Sequence, residues 1–257
     1  MTQQGHGFDS SDLESLRATV RQVASRDHTL RSLGELGLLG LLVPDSAGGE
    51  GWWVVEACAV AVELGRALSP VPWAATALAA AELARHPDFA PTVAGMLRGE
   101  VAGVVAARSQ VDVDEARSVV TGQVVVVAPA STSKSNAEVV LLAHDGSASL
   151  RVGLDERTAT LTPLADPLDT TRTLARLTLH DAPAVPLPGA GRFPPTALAT
   201  LLACADSLGA LTATVERIDA YLRDREAFGR PIASFQAIQH RLVDLTVLVE
   251  AAGALLW

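Results

Sequence analysis

Between Ser10 and Glu100 apolar residues recur at helical spacing. Leu13, Leu16, Val20 and Val23 fall on one face, which predicts a helix capped by Ser10 or Ser11 and ending near Arg26. A short helix over Leu30 to Leu36 leads into Gly37-Leu-Leu-Gly-Leu-Leu-Val-Pro44 and the turn-rich Asp45-Ser-Ala-Gly-Gly-Glu-Gly51. A third helix is predicted from Val54 to Leu68, stopped by Ser69-Pro70. A fourth covers Trp73 to Arg85, with Pro72 at its start.

From Val101 to about Pro188 the period shortens. Val101 to Val105, Val119 to Val127, Val139 to Leu142, Ala159 to Leu164 and Ala175 to Leu179 are Val/Leu/Thr runs separated by Gly, Asp, Ser and Pro, the pattern of antiparallel strands. His144-Asp-Gly-Ser147 reads as a hairpin turn, because Asp-Gly supplies the positive backbone angles that a tight turn needs. Pro183-Ala-Val-Pro-Leu-Pro-Gly-Ala-Gly191 reads as a stiff linker. Two long helices follow, about Pro195 to Glu226 and Ser234 to Trp257. The last carries Leu242, Leu245, Leu248, Val249 and Leu255 on adjoining faces and reaches the final residue without a stop signal. Such a helix needs cover, so a truncated sequence or a bundle completed by a partner is expected. The fold class is α+β: an N-terminal helical domain (1–100), a small middle antiparallel β domain (101–190) and the first two helices of a C-terminal helical bundle (191–257).

Composition narrows the function. Hydrophobic residues are 49% of the chain but aromatics only 4%, so the core rests on Ala, Val and Leu. Twenty Lys and Arg against 29 Asp and Glu give a formal charge of -9, which disfavours nucleic acid as a partner. Two cysteines, Cys58 and Cys204, are too few for a disulfide scaffold or a Cys-based zinc site, and no metal cluster is expected. The N-terminus lacks a basic region followed by an apolar run, and no stretch of about 18 uninterrupted apolar residues occurs. A cytoplasmic location without membrane insertion is therefore expected.

Three strings, in order along nearly the whole chain, carry a family resemblance. They are Leu33-Gly-Glu-Leu-Gly-Leu-Leu-Gly-Leu-Leu-Val-Pro-Asp-Ser-Ala-Gly-Gly-Glu-Gly51, continued by Glu63-Leu-Gly-Arg-Ala-Leu68 and Pro70-Val-Pro72; Leu168-Asp-Thr-Thr-Arg172; and Arg225-Glu-Ala-Phe-Gly-Arg-Pro-Ile232 with Ser234-Phe-Gln-Ala-Ile-Gln-His240. The chain resembles the acyl-CoA dehydrogenase family. The resemblance implies FAD as cofactor and oxidation of an acyl-CoA thioester to the 2,3-enoyl-CoA. A carboxylate would remove the α-proton while the β-hydrogen leaves as hydride.

By the same resemblance, Arg225 matches the arginine on the FAD pyrophosphate, typically of a neighbouring subunit, and Phe228 the aromatic near the adenine. Gln236 falls in the same dinucleotide-binding region. Read without the family, Arg225 is a helix-end cation favoured by the helix dipole and Phe228 a core anchor. His180 and His240 read as surface or satisfied histidines.

The flavin-facing stretches depart from the family. Val104-Val-Ala-Ala-Arg-Ser-Gln110 and Val124-Val-Val-Val-Ala-Pro-Ala130 lack most of the side chains that would bond or stack on an isoalloxazine, leaving Ser109, Ser131 and Thr132 as substitutes. The catalytic base is undetermined: one family position falls near Ala199, beside Thr200, and neither side chain is a base. Asp206 lies two turns on in an apolar stretch, where a carboxylate is costly unless paired, so a structural or hydrogen-bonding role is expected. Glu216, Asp219 and Glu226 read as solvated charges, with Asp219 and Arg223 spaced for a surface pair.

Two enzyme readings follow. The chain is an FAD-dependent acyl-CoA dehydrogenase or a subunit of one, a homo- or hetero-oligomer with another such chain. Alternatively it is a non-catalytic subunit that lends Arg225 and Phe228 to a partner's FAD. A third reading, from another class, is a helical interaction protein that keeps only the fold.

Overall fold

A computed structural model describes residues 10–25, 29–51, 54–107, 110–128, 137–142, 148–153, 157–187 and 194–257. The helices α1 (Ser10–Ala24), α2 (Leu30–Glu35), α3 (Val54–Arg66) and α4 (Trp73–Leu83) lie where the apolar spacing puts them, and a further helix, α5 (Ala90–Leu97), follows. Thr29 caps α2 by accepting from the Ser32 amide at 3.2 Å. The glycine-rich string folds by close approach: a Cβ on Gly49 would strike the Val43 carbonyl, while Leu39, Leu42 and Val43 are fully buried. Helix α4 is buried on nearly all sides, which suits its run of alanines.

The strands are β1 (Ala102–Ala107), β2 (Asp112–Asp114), β3 (Val119–Val127), β4 (Ala137–Leu142), β5 (Ser149–Val152), β6 (Ala159–Pro163) and β7 (Leu174–Leu187). They form one sheet in the order β1-β4-β5-β7-β3-β2, with β6 also paired to β7. One pairing differs from the antiparallel expectation: β1 runs parallel to β4, in register from Ala102 with Ala137 to Ala107 with Leu142. Strands β4 and β5 pair antiparallel, as a hairpin requires; the His144 to Ser147 turn itself lies outside the described residues. The expected linker from Pro183 is a correction. Pro183 to Leu187 continue β7, whose last four residues pair with β5, because Ala182, Ala184 and Leu187 carry its buried positions on through the prolines. The rest of that string is outside the described residues.

Strand β4 explains its own unbroken apolar run. Val139 and Leu141 face the sheet's inner cluster, whereas Val140 and Leu142 join the helical core with Leu33, Trp73 and Leu83. At the seam, the Thr76 hydroxyl on α4 donates to the Pro72 carbonyl at 2.8 Å and accepts from the Gly103 amide of β1 at 2.9 Å.

Helix α6 (Pro195–Asp224) buries Leu198, Leu202, Ala205 and Leu208 against α3 and α4. By length and mean hydropathy α6 alone among the described helices could cross a membrane. Its sole charge in that apolar half, Asp206, is ion-paired. The short strands β8 (Glu226–Ala227) and β9 (Arg230–Pro231) pair as a hairpin and lead into α7 (Gln236–Leu256). As the pattern requires, α7 is under-covered: it packs on α6, and Val243, Val247, Leu248 and Leu255 stay exposed.

Candidate functional site

A cavity of about 270 Å³ opens where α3, α4, the sheet and α6 meet. Leu64, Trp73, Val105, Val127 and Leu202 make its walls hydrocarbon, and Ser69, Arg172 and Asp206 supply the polar lining. The Trp73 indole is fixed by donation from Nε1 to the Leu38 carbonyl at 3.0 Å. The string Ser69-Pro-Val-Pro72 joins α3 to α4, and its Ser69, Val71 and Pro72 line the cavity.

Arg172 precedes β7, and its Nη2 donates to Asp206 Oδ1 at 2.8 Å. Asp169 approaches the same guanidinium at 3.7 Å and accepts from the Thr171 amide and hydroxyl at 2.8 and 2.6 Å. Those two hydrogen bonds hold the Asp169 carboxyl below its ordinary range. For Asp206 burial is the largest influence and raises the carboxyl, with Arg172 pulling the other way. The expectation that Asp206 needs a partner is met by Arg172. Sequence reasoning noticed both residues without joining them; the available signal was a lone carboxylate in an apolar helix, which demands a cation from elsewhere in the chain.

Ala199 lines the cavity, and the Thr200 hydroxyl is spent on the Thr196 carbonyl at 2.9 Å. Ser109, Ser131 and Thr132 lie outside the described residues. Glu216 is exposed, as expected, and also engages Arg66 through both oxygens. Arg66 also approaches buried Glu63 at 3.6 Å, and Glu63 accepts a forked pair of bonds from Arg21 at 2.9 and 2.8 Å. These pairs tie α1, α3 and α6 together. The expected Asp219–Arg223 surface pair forms at 2.8 Å. His180, Glu226 and His240 are exposed.

The other candidates gather elsewhere. Arg225 caps the C-terminal end of α6, nineteen residues beyond Asp206 and so about 28 Å along the helix axis. Its carbonyl accepts from the Ile232 amide at 2.8 Å, which folds the following segment back, and among the described residues its guanidinium makes no ion pair. Phe228 is 95% exposed, at the hairpin tip with φ of 53°; the core-anchor alternative is thereby excluded. Its ring meets Phe235 edge-on at 6.2 Å, and Arg230 stacks over Phe235 at 4.3 Å. Gln236 is exposed at the first turn of α7. The structure therefore brings Arg225, Phe228 and Gln236 to one surface, and that surface is remote from the cavity.

Comparison with known proteins places this arrangement. Residues 10–88 match the model of the acyl-CoA dehydrogenase N-terminal domain and residues 198–257 that of the C-terminal domain. Acyl-CoA dehydrogenase IpdE2 of Mycobacterium tuberculosis is 31% identical over 93% of this chain and 67% of its own length. Acyl-CoA dehydrogenase FadE34 of the same organism is 35% identical over 96% of this chain, which spans 32% of that larger protein. Among solved structures, the ChsE4-ChsE5 complex from Mycobacterium tuberculosis superposes with a TM-score of 0.71 at 24% identity, covering 96% of this chain and 79% of the other.

Proposed function

Because the chain belongs to the acyl-CoA dehydrogenase family, FAD-binding oxidoreductases acting on CH–CH groups, we propose that it serves the oxidation of an acyl-CoA thioester to the 2,3-enoyl-CoA as one subunit of an assembly. The observation that carries this reading is the separation of its two candidate sites. Arg225, Phe228 and Gln236 stand exposed at one end of α6, and the cavity lies about 28 Å away. Two sites so far apart on one chain suit a cofactor shared between neighbouring chains.

The residues at the α6 end fit the diphosphate and adenine end of FAD. Arg225 offers a guanidinium free of carboxylates among the described residues, Phe228 an exposed ring, and Gln236 a donor and an acceptor. Bound FAD supplies the hydride acceptor. The cavity takes the acyl group: its hydrocarbon walls exclude water, and Trp73 is held rigid by its bond to Leu38.

A second reading is favoured by a specific observation. Among the described residues Val105 and Val127 offer the sheet side of the cavity hydrocarbon and no side-chain donor for a flavin, and the cavity's one carboxylate, Asp206, is tied to Arg172. These features support a subunit that lends Arg225 and Phe228 to a partner's FAD without turning over substrate itself. The ChsE4-ChsE5 neighbour is a complex of two named chains, which agrees with such an assembly.

A visible absorption spectrum, with FAD quantified per chain, separates these readings. Flavin in the protein purified alone supports an enzyme with its own site. Flavin only on co-expression with a second acyl-CoA dehydrogenase chain, at about one FAD per two chains and lost on Arg225→Ala, supports the lending subunit. No flavin in either preparation overturns both.

A further inference from the structure

Arg172 is under-used by its neighbours. Among the described residues its guanidinium makes one hydrogen bond, to Asp206; its other carboxylate neighbour, Asp169, is at 3.7 Å, beyond hydrogen-bonding distance. A guanidinium carries five N–H donors in a fixed plane, so most of this set is unspent. The group is mostly withdrawn from solvent, its side chain 22% exposed, and it forms part of the cavity lining. Asp206, on the facing helix, likewise engages one oxygen and leaves the other. Among the described residues, a paired cation and carboxylate therefore interrupt a wall that is otherwise hydrocarbon, apart from Ser69.

A pocket meant for a plain alkyl chain gains nothing from such a pair, since desolvating it is costly and a hydrocarbon ligand returns no hydrogen bond. Charge narrows the complement further. One guanidinium faces two carboxylates, so an anionic ligand meets an excess of negative charge, while a neutral oxygen finds donors and no repulsion.

Resting on the acyl-CoA reading above, we propose that this cavity selects acyl groups bearing a neutral oxygen substituent, a ketone or hydroxyl, received by the spare N–H groups of Arg172. Asp206 holds the guanidinium plane in place and accepts from the substituent where it is a hydroxyl. Arg172 is thus a specificity-determining residue rather than a catalytic one.

The test is calorimetric titration of the full chain with octanoyl-CoA and with oxo-octanoyl-CoA esters carrying the ketone at each carbon from C4 outward. At least one oxo ester is expected to bind about tenfold tighter than octanoyl-CoA, the discrimination typical of a hydrogen bond to a charged group. Arg172→Leu is expected to erase that preference. Because this variant leaves Asp206 unpaired, Arg172→Leu with Asp206→Leu provides a second variant of neutral lining, also expected to show no preference. Equal binding of all esters to the native chain, tighter binding of an ester ending in a carboxylate, or a preference that survives in the double variant overturns the proposal alone. Absence of binding by every ester overturns the acyl-CoA reading of the cavity and the proposal with it.

Discussion

Gly65 on α3 and Gly209 on α6 each lie against the backbone of the other helix. A Cβ on Gly65 would collide with the Asp206 carbonyl, and one on Gly209 with the Val62 carbonyl. The two helices cross without intervening side chains, which sets Leu64 and Asp206 on the same cavity.

Alanine at either crossing position has opposing effects. It relieves up to about 1 kcal/mol of glycine's helix penalty but forces two backbones apart, at about 3 kcal/mol or more. Gly65→Ala and Gly209→Ala are expected to lose about 2 kcal/mol or more in urea unfolding. Gly253→Ala, on α7 with open space around it, should gain about 0.5 kcal/mol. Equal effects at all three positions would disprove the crossing argument.

Glu63 and Glu216 share Arg66 in very different surroundings. Glu63 is 3% exposed between Arg21 and Arg66, whereas the Glu216 side chain is 57% exposed. Glu63→Gln should cost about 1 to 2 kcal/mol, since the buried carboxylate's forked bonds to Arg21 are lost while Arg66 keeps Glu216. Glu216→Gln should cost under about 1 kcal/mol and less in high salt. Chemical denaturation at two ionic strengths checks both.

Burial raises the carboxyl of Glu82 on α4 above its ordinary value of 4.5, against the opposing influences of Ser149 and Arg85. A folded value above the unfolded one means the native state holds the proton more tightly. The contribution is then present in full below 4.5 and declines as pH rises through the raised value. Melting temperatures of native protein and Glu82→Gln should diverge between mildly acidic and neutral pH, with the native protein losing ground. Parallel curves would rule this out.

Phe228 occupies left-handed backbone while almost fully exposed, a conformation that costs a non-glycine residue about 1 kcal/mol. Phe228→Gly removes that cost and the edge contact with Phe235, so stability of the chain alone should change by less than about 1 kcal/mol. FAD retained by the co-expressed assembly should fall markedly. Unchanged flavin content would return Phe228 to the status of an ordinary turn residue.

The long helices were legible in the sequence: α1, buried on one side, from Leu13, Leu16, Val20 and Val23, and α3 and α4 from the prolines that bound them. Short or polar elements were not. Strand β2, Asp-Val-Asp, has one apolar residue and depends on its pairing with β3, and β5 is only four residues long. The parallel β1–β4 pairing leaves no local trace, because partners thirty-five positions apart share no turn signal. Arg225, Phe228 and Gln236 were found from their string, and their common surface follows from the hairpin between α6 and α7. The Arg172–Asp206 pair was hidden because its members are thirty-four residues apart on different element types.

The bond from Gly103 to Thr76 has a chronological side. Hairpins such as β4–β5 close short loops and form early, but β1 has no local partner and its Gly103 amide finds an acceptor only once α4 is in place. The strand that comes first in the sequence is therefore seated after the hairpin it pairs with. In pulse-labelled hydrogen exchange during refolding, Gly103 should gain protection after the β4 and β5 amides that pair with each other, so that until then the nascent sheet presents β4 as an open edge.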